Sequence, residues 1–120
     1  MASIHLITGG ARSGKSDHAL KLAEEHDESR AYIATCPVED EEMRRRVEKH
    51  RRRRRNRGWH TIEEQVELGR AVRGAEQSVL LIDCLTLWVS NLMGQEDERL
   101  TEDRIEELSS DLLDACRNHG

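Results

Sequence analysis

The sequence predicts an α/β fold, a mainly parallel sheet flanked by helices, and three observations carry that prediction. An apolar segment, Ile4 to Thr8, leads through a glycine-bearing loop, Gly9 to Ser16, into a stretch with helical periodicity. Ser78-Val-Leu-Leu-Ile-Asp83 is apolar between its polar ends, as expected of a parallel strand covered on both faces. Strand-like and helix-like segments alternate along the rest of the chain, the pattern from which parallel sheets are built.

The loop is the most specific of these features. Gly9-Gly-Ala-Arg-Ser-Gly-Lys-Ser16 satisfies the phosphate-loop pattern G-x-x-x-x-G-K-S/T in full. A backbone that wraps closely around a polyphosphate needs Gly9 and Gly14 for the approach, Lys15 for charge, and the Ser16 hydroxyl to reach a magnesium ion. Gly9, Gly10, Ala11, Arg12, Ser13, Gly14, Lys15 and Ser16 are therefore the expected phosphate contacts. Ala19, Leu20, Leu22 and Ala23 then share one helical face, so a helix is expected to open with its free N–H groups and dipole aimed at the phosphates. The context of strand, loop and helix makes the architecture that of a P-loop nucleoside triphosphatase.

The remaining elements follow in order. Ala31 to Thr35 reads as a second short strand closed by Pro37, and the acidic run from Glu39 opens a helix through Met43 and Val47 toward the arginine block. That helix has a narrow apolar face, so most of it is expected to be solvated or to face a ligand, with an exposed loop near Arg55 to Gly58. Thr61-Ile-Glu-Glu64 fits a capping box, opening a helix through Val66, Leu68, Ala71 and Val72 that Gly74 ends. After the strand ending at Asp83 come a short apolar helix, Leu85 to Met93, a polar loop, Gly94 to Arg99, and an amphipathic helix, Thr101 to Arg117. Ile105, Leu108, Leu112 and Ala115 form its buried stripe, with Cys116 beside them. With three strands anticipated, one edge or face of the sheet is expected to lack its partner, an element cut away or supplied by another subunit.

At 120 residues the chain is sized for one nucleotide-binding domain, residues 1–120. Apolar and charged residues each make up 36%, and only Trp59, Trp88 and Tyr32 are aromatic, so the core must be thin and aliphatic. No apolar run reaches the length of a bilayer span, and the first residues lack the pattern of a secretory leader, so a cytoplasmic location is expected. Cys36, Cys84 and Cys116, odd in number and widely spaced, fit free thiols better than disulfides or a zinc site. The net charge of -5 hides an asymmetry: Arg44 to Arg57 is densely basic and Glu96 to Asp114 largely acidic, so the two are expected to attract. A basic run in an acidic chain with so few aromatics argues against nucleic-acid binding.

Asp83, at the end of an apolar strand, is the expected partner of the loop, its carboxylate holding magnesium-bound water beside Ser16. The plainer reading is an Asp that caps the next helix; the phosphate loop upstream favours the first. Thr86 and Asn91 lie just beyond and are candidates for the same cleft. His50 sits among arginines in Arg44-Arg-Arg-Val-Glu-Lys-His-Arg51. A neutral imidazole there can attack an α-phosphate, with arginines stabilising the developing charge; spacing alone favours a histidine on a solvated basic helix. His5, His18, His26, His60 and His119 show no metal-ligand spacing.

In series, the phosphate loop, Ala31 to Thr35, Arg46-Val-Glu-Lys-His-Arg51, Trp59-His-Thr-Ile-Glu63, and Leu81-Ile-Asp-Cys-Leu-Thr-Leu-Trp-Val-Ser-Asn-Leu92 closely resemble the bifunctional adenosylcobinamide kinase / adenosylcobinamide-phosphate guanylyltransferase family of cobalamin biosynthesis. The resemblance covers nearly the whole chain. It implies phosphorylation of adenosylcobinamide by ATP or GTP, then transfer of GMP from GTP through a guanylylated histidine, a role that falls on His50. Lys15 would assist at the leaving pyrophosphate, Ser16 and Asp83 would serve Mg2+, and Glu63 matches a position near the nucleotide. Family members continue with another strand, an Asn-Glu-Val-Gly motif and a further helix, which this sequence does not contain, and relatives often form trimers. Read without the resemblance, the residues leave open a phosphate-loop kinase or ATPase that forms no covalent nucleotide, or a nucleotide-binding fragment without turnover.

Overall fold

The computed structural model describes residues 4–9, 14–26, 28–94 and 102–119, and eight elements lie among them. They run α1 (Lys15–Glu24), β1 (Arg30–Ala34), α2 (Glu41–Arg55), β2 (Trp59–Glu63), α3 (Leu68–Gly74), β3 (Val79–Asp83), α4 (Leu85–Met93) and α5 (Glu102–Arg117). The three strands are parallel in the order β2-β1-β3, with β1 in the centre. This is the α/β architecture the alternating pattern predicts.

Register decides which side chains meet. Ile33 aligns with Ile62 and Ile82, whereas Tyr32 aligns with Thr61 and Leu81, and Ala34 with Glu63 and Asp83. Because side chains alternate along a strand, Ile33, Ile62, Leu80 and Ile82 fall on one face. There they meet Leu68 and Val72 of α3, Trp88 and Leu92 of α4, and Leu112 and Ala115 of α5, which form the core. Trp88 buries its indole by donating Nε1–H to the Val66 carbonyl at 2.6 Å. Of the stripe predicted for α5, Leu108, Leu112 and Ala115 pack here, with Cys116 beside them.

The opposite face carries Trp59, Thr61, Glu63, Tyr32 and Asp83, and α1 and α2 lie against it. α2 begins where Asp40 accepts a hydrogen bond from the Met43 N–H at 2.7 Å, with Glu41 and Glu42 in the first turn. Four arginines, Arg52 to Arg55, occupy its last turn, where cations suit the helix dipole.

Three expectations are corrected. Ile4 to Thr8 is not a strand: residues 4–9 carry no regular structure, and Ile4 and Leu6 are 49% and 75% exposed. Apolar content predicts burial, but a parallel strand also needs a neighbour to pair with and layers on both faces. Nor does Thr61 open a helix, because Thr61 to Glu63 belong to β2 and pair with Tyr32 to Ala34. Glu64 caps the following turn instead, accepting from the Val66 and Glu67 N–H groups at 3.2 and 3.1 Å. Finally, among the described residues no ion pair joins the basic segment to the acidic one. Arg44 and Arg46 pair with Glu41 and Glu42 of their own helix, while Asp111 of α5 takes a forked contact from Arg73 of α3. Charges three or four residues apart on one helix meet at little entropic cost. Cys36, Cys84 and Cys116 are free thiols, and most of the polar loop predicted after Gly94 lies outside the described residues.

Candidate nucleotide site

The last paired row of the sheet is Glu63, Ala34 and Asp83, all on the α1/α2 face. Strands about 4.8 Å apart put the two acidic residues about 10 Å from each other, with only a methyl group between them. Below this row, Tyr32 donates its hydroxyl to Asp83 Oδ2. Beyond it the chain is stitched by Thr35. Its N–H donates to the Asp83 carbonyl at 3.1 Å, and its Oγ1 both accepts from the Cys84 N–H and donates to the Cys84 carbonyl at 2.8 Å. Asn91 Nδ2 closes the arrangement by donating to the Thr35 and Gln65 carbonyls at 2.8 and 3.0 Å.

Helix α1 packs against the same face. At its far end Glu24 accepts from Trp59 Nε1 at 2.9 Å, in the first row of the sheet. From Glu24 back to Lys15 the helix rises about 13.5 Å, and from Trp59 to Glu63 the strand rises about 13 Å. The two lengths match, so an α1 antiparallel to β2 would bring Lys15 and Ser16 toward the row of Glu63 and Asp83. Gly14 precedes the helix with φ +83°, a left-handed conformation; a Cβ there would meet nothing within 4 Å, so conformation and not crowding demands glycine. Lys15 Nζ donates to the Gly9 carbonyl at 3.2 Å, folding its charge back over the loop. Gly10, Ala11, Arg12 and Ser13 lie outside the described residues.

Helix α2 descends the face as a ladder of arginines. Arg51 pairs with Glu63 of the last row at 3.6 Å, Arg54 lies over the Tyr32 ring in the middle row, and Arg57 pairs with Glu24 near the first. His50 precedes Arg51 on the same helix and is exposed to solvent. The structure thus sets Glu63 and Asp83 in one row at the edge of the sheet and pairs Glu63 with Arg51, the neighbour of His50. Thr86 is exposed at the start of α4, and Asn91 is a brace for the edge.

Burial raises the Tyr32 phenol well above its ordinary value, and the Asp83 charge and hydrogen bond add to it, against an opposing pull from Arg54. Burial also pushes the Cys36 thiol up. Glu24 is pushed up by burial, but hydrogen bonds from Trp59 and Arg57 outweigh that and hold it below its usual range. Among the described residues, no group of three His, Cys, Asp or Glu could cage a metal, and Asp83 Oδ1 takes no hydrogen bond. That donor set fits magnesium, which takes one or two protein oxygens and completes its shell with phosphate and water. A cavity of about 410 Å3 opens elsewhere, between β2 and α3, lined by His60, Glu64, Arg70 and Glu76 among others.

Sequence reasoning missed Tyr32, Arg54 and Thr35. Tyr32 and Thr35 stood in an apolar strand, and Arg54 was one arginine among many; only the register and the helix face single them out.

A parallel sheet with a strand-end aspartate, together with a phosphate-loop sequence whose Gly14 leads into a helix, defines an α/β fold of the P-loop-like class. The chain belongs to the cobinamide kinase / cobinamide phosphate guanyltransferase family, whose pattern it matches over residues 5–120. It is 46% identical over 102 residues to the bifunctional adenosylcobalamin biosynthesis protein CobP of Pseudomonas aeruginosa, covering 82% of this chain and 58% of that protein. It is 40% identical over 90 residues to the bifunctional adenosylcobalamin biosynthesis protein CobU of Escherichia coli, covering 73% of this chain and 49% of that protein. The chain therefore spans about half the length of the curated relatives it matches.

Proposed function

We propose that this chain acts in cobalamin biosynthesis as an adenosylcobinamide kinase and adenosylcobinamide-phosphate guanylyltransferase, with His50 as the residue that carries GMP. The observation that supports this best is the edge row of Glu63 and Asp83, with Glu63 paired to Arg51 beside His50 and the phosphate-loop sequence opening α1. In the kinase step the loop from Gly9 to Ser16 grips the triphosphate of ATP or GTP while the substrate hydroxyl attacks the γ-phosphorus, giving up its proton to solvent as the bond to the β-phosphate oxygen breaks and ADP or GDP leaves. In the transfer step an imidazole nitrogen of His50 attacks the α-phosphorus of GTP, forming a P–N bond as the bond to the β-phosphate oxygen breaks and pyrophosphate leaves. A phosphate oxygen of adenosylcobinamide phosphate then displaces His50, breaking the P–N bond and giving adenosylcobinamide-GDP.

The residues divide the work by charge. Lys15, released from the Gly9 carbonyl, offsets the charge on the leaving pyrophosphate, and the arginines flanking His50 stabilise charge on the α-phosphate. Ser16 and Asp83 would hold Mg2+, which neutralises phosphate charge when bound. Glu63, tethered to Arg51, borders the nucleotide. Substrates, cytoplasmic location and assembly into oligomers of the kind seen in relatives belong to the same proposal.

The test is chemical. GTP labelled at the α-phosphate is expected to leave acid-labile, alkali-stable label on the protein, and His50→Ala to abolish it; label persisting in that variant removes His50 as nucleophile. The exposed position of His50 favours one other reading, a phosphate-loop kinase without covalent nucleotide. Label passing only from the γ-position to a small acceptor would select it.

A further inference from the structure

Three contacts converge on Tyr32. The Arg54 guanidinium lies 3.7 Å from its ring centroid, its hydroxyl donates to Asp83 Oδ2, and Trp59 meets it edge-on at 6.2 Å. Arg54 is the fourth residue after His50, so both lie on one side of α2. It also differs from its neighbours: Arg52, Arg53 and Arg55 are exposed, whereas Arg54 is only 9% exposed.

Its hydrogen bonding is thin for so buried a cation. Nε has no partner, and Nη2 reaches Thr61 Oγ1 only at 3.4 Å. Burying a guanidinium this way is unfavourable unless the ring face and a nearby carboxylate offset it. An apolar side chain of similar volume would dock the helix at lower cost. The retained charge therefore argues for a task beyond packing.

Resting on the nucleotidyl-transfer reading of His50, we propose that Arg54 and Tyr32 are positioning residues that couple the two halves of the site. Arg54 seats α2, and with it His50, on the ring of Tyr32. Tyr32 in turn engages one oxygen of Asp83, leaving Oδ1 for magnesium-bound water. Neither residue touches the reacting atoms. The ring and the hydroxyl have separable duties, because Tyr32→Phe keeps the seat for Arg54 and releases Asp83, whereas Arg54→Met keeps the volume and loses the charge.

The test uses the full chain, a fluorescent GTP analogue titrated with Mg2+, and incorporation of α-label. Tyr32→Phe is expected to raise the Mg2+ concentration for half-maximal binding about five-fold or more, while binding without Mg2+ stays the same. Arg54→Met is expected to bind the analogue normally but to label about ten-fold more slowly or worse, with Arg54→Lys recovering part of the rate. Added guanidinium ion is expected to speed labelling of Arg54→Ala, a rescue that a merely structural role would not permit. An unchanged Mg2+ midpoint in Tyr32→Phe overturns the assignment, as does wild-type labelling by Arg54→Met. So do losses that track the melting temperature and answer neither to lysine nor to guanidinium. Label retained in His50→Ala overturns the histidine reading while the Mg2+ midpoint still decides the role of Tyr32. A wild-type chain that binds no analogue overturns both.

Discussion

Gly14 and Thr35 show how much single residues at the carboxyl edge decide. Gly14 holds φ +83°, so Gly14→Ala forces a side chain into the left-handed region at about 1–2 kcal/mol. If the loop relaxes to avoid that strain, GTP binding is expected to weaken by about ten-fold, the equivalent of ~1.4 kcal/mol, as titration calorimetry can measure. Thr35 is fully buried and exchanges two hydrogen bonds with Cys84. Thr35→Val keeps the shape but strands the Cys84 N–H, and a loss of about 1–3 kcal/mol is expected as a lower urea midpoint at unchanged slope. Glu24 supplies a pH test. Its carboxyl lies below the usual value of 4.5 because Trp59 and Arg57 bind the charged form, so at acid pH the unfolded chain takes up the proton first. The contribution is full above that usual value and is lost as pH falls through the lowered one. Urea midpoints followed from about pH 6 to pH 3 are expected to fall less steeply in Glu24→Gln than in wild type.

At the scale of elements, the molecule rests on two different contacts across its sheet. One face is apolar, and α5 closes it: Leu112 is buried in the cluster with Val72 and Trp88. Leu112→Ala is expected to destabilise by about 2–4 kcal/mol, read as a thermal or urea shift. Gly69 of α3 admits α5 closely, since a Cβ there would run into the Asp111 carboxylate that Arg73 holds. The other face is built from aromatic and charged side chains: Glu24 of α1 holds Trp59 and Arg54 of α2 reaches Thr61 of β2, while Arg57 beyond α2 pairs with Glu24. Helices α4 and α5 were legible from their apolar stripes, and α2 from its acidic opening and basic close. β2 was not, because Trp59-His-Thr-Ile-Glu63 has only five residues and its Thr61, with Glu64 just beyond it, mimics a capping box. Pairing with Tyr32 to Ala34 outweighed that local preference.

At the scale of the whole molecule, a ligand that binds only the folded chain must stabilise it. GTP with Mg2+ at a hundred times its dissociation constant is expected to add about 2.7 kcal/mol, seen as a raised melting temperature, and Lys15→Ala to remove most of that rise. The phosphate loop, the strand-end Asp83 and the alternation of strands and helices were all fixed by local composition and spacing, so the sequence alone determined the α/β class and most of the candidate residues. Spacing also singled out Asp83, because an acid ending an apolar run marks the carboxyl edge of a parallel sheet. What only the tertiary structure decided is the company each residue keeps. Ile4 to Thr8 stands outside the sheet, Arg54 alone of its block is buried, and Tyr32 joins the His50 helix to Asp83. Those facts depend on register between strands far apart in the chain and on which helix face meets the sheet, and neither is encoded in any one segment.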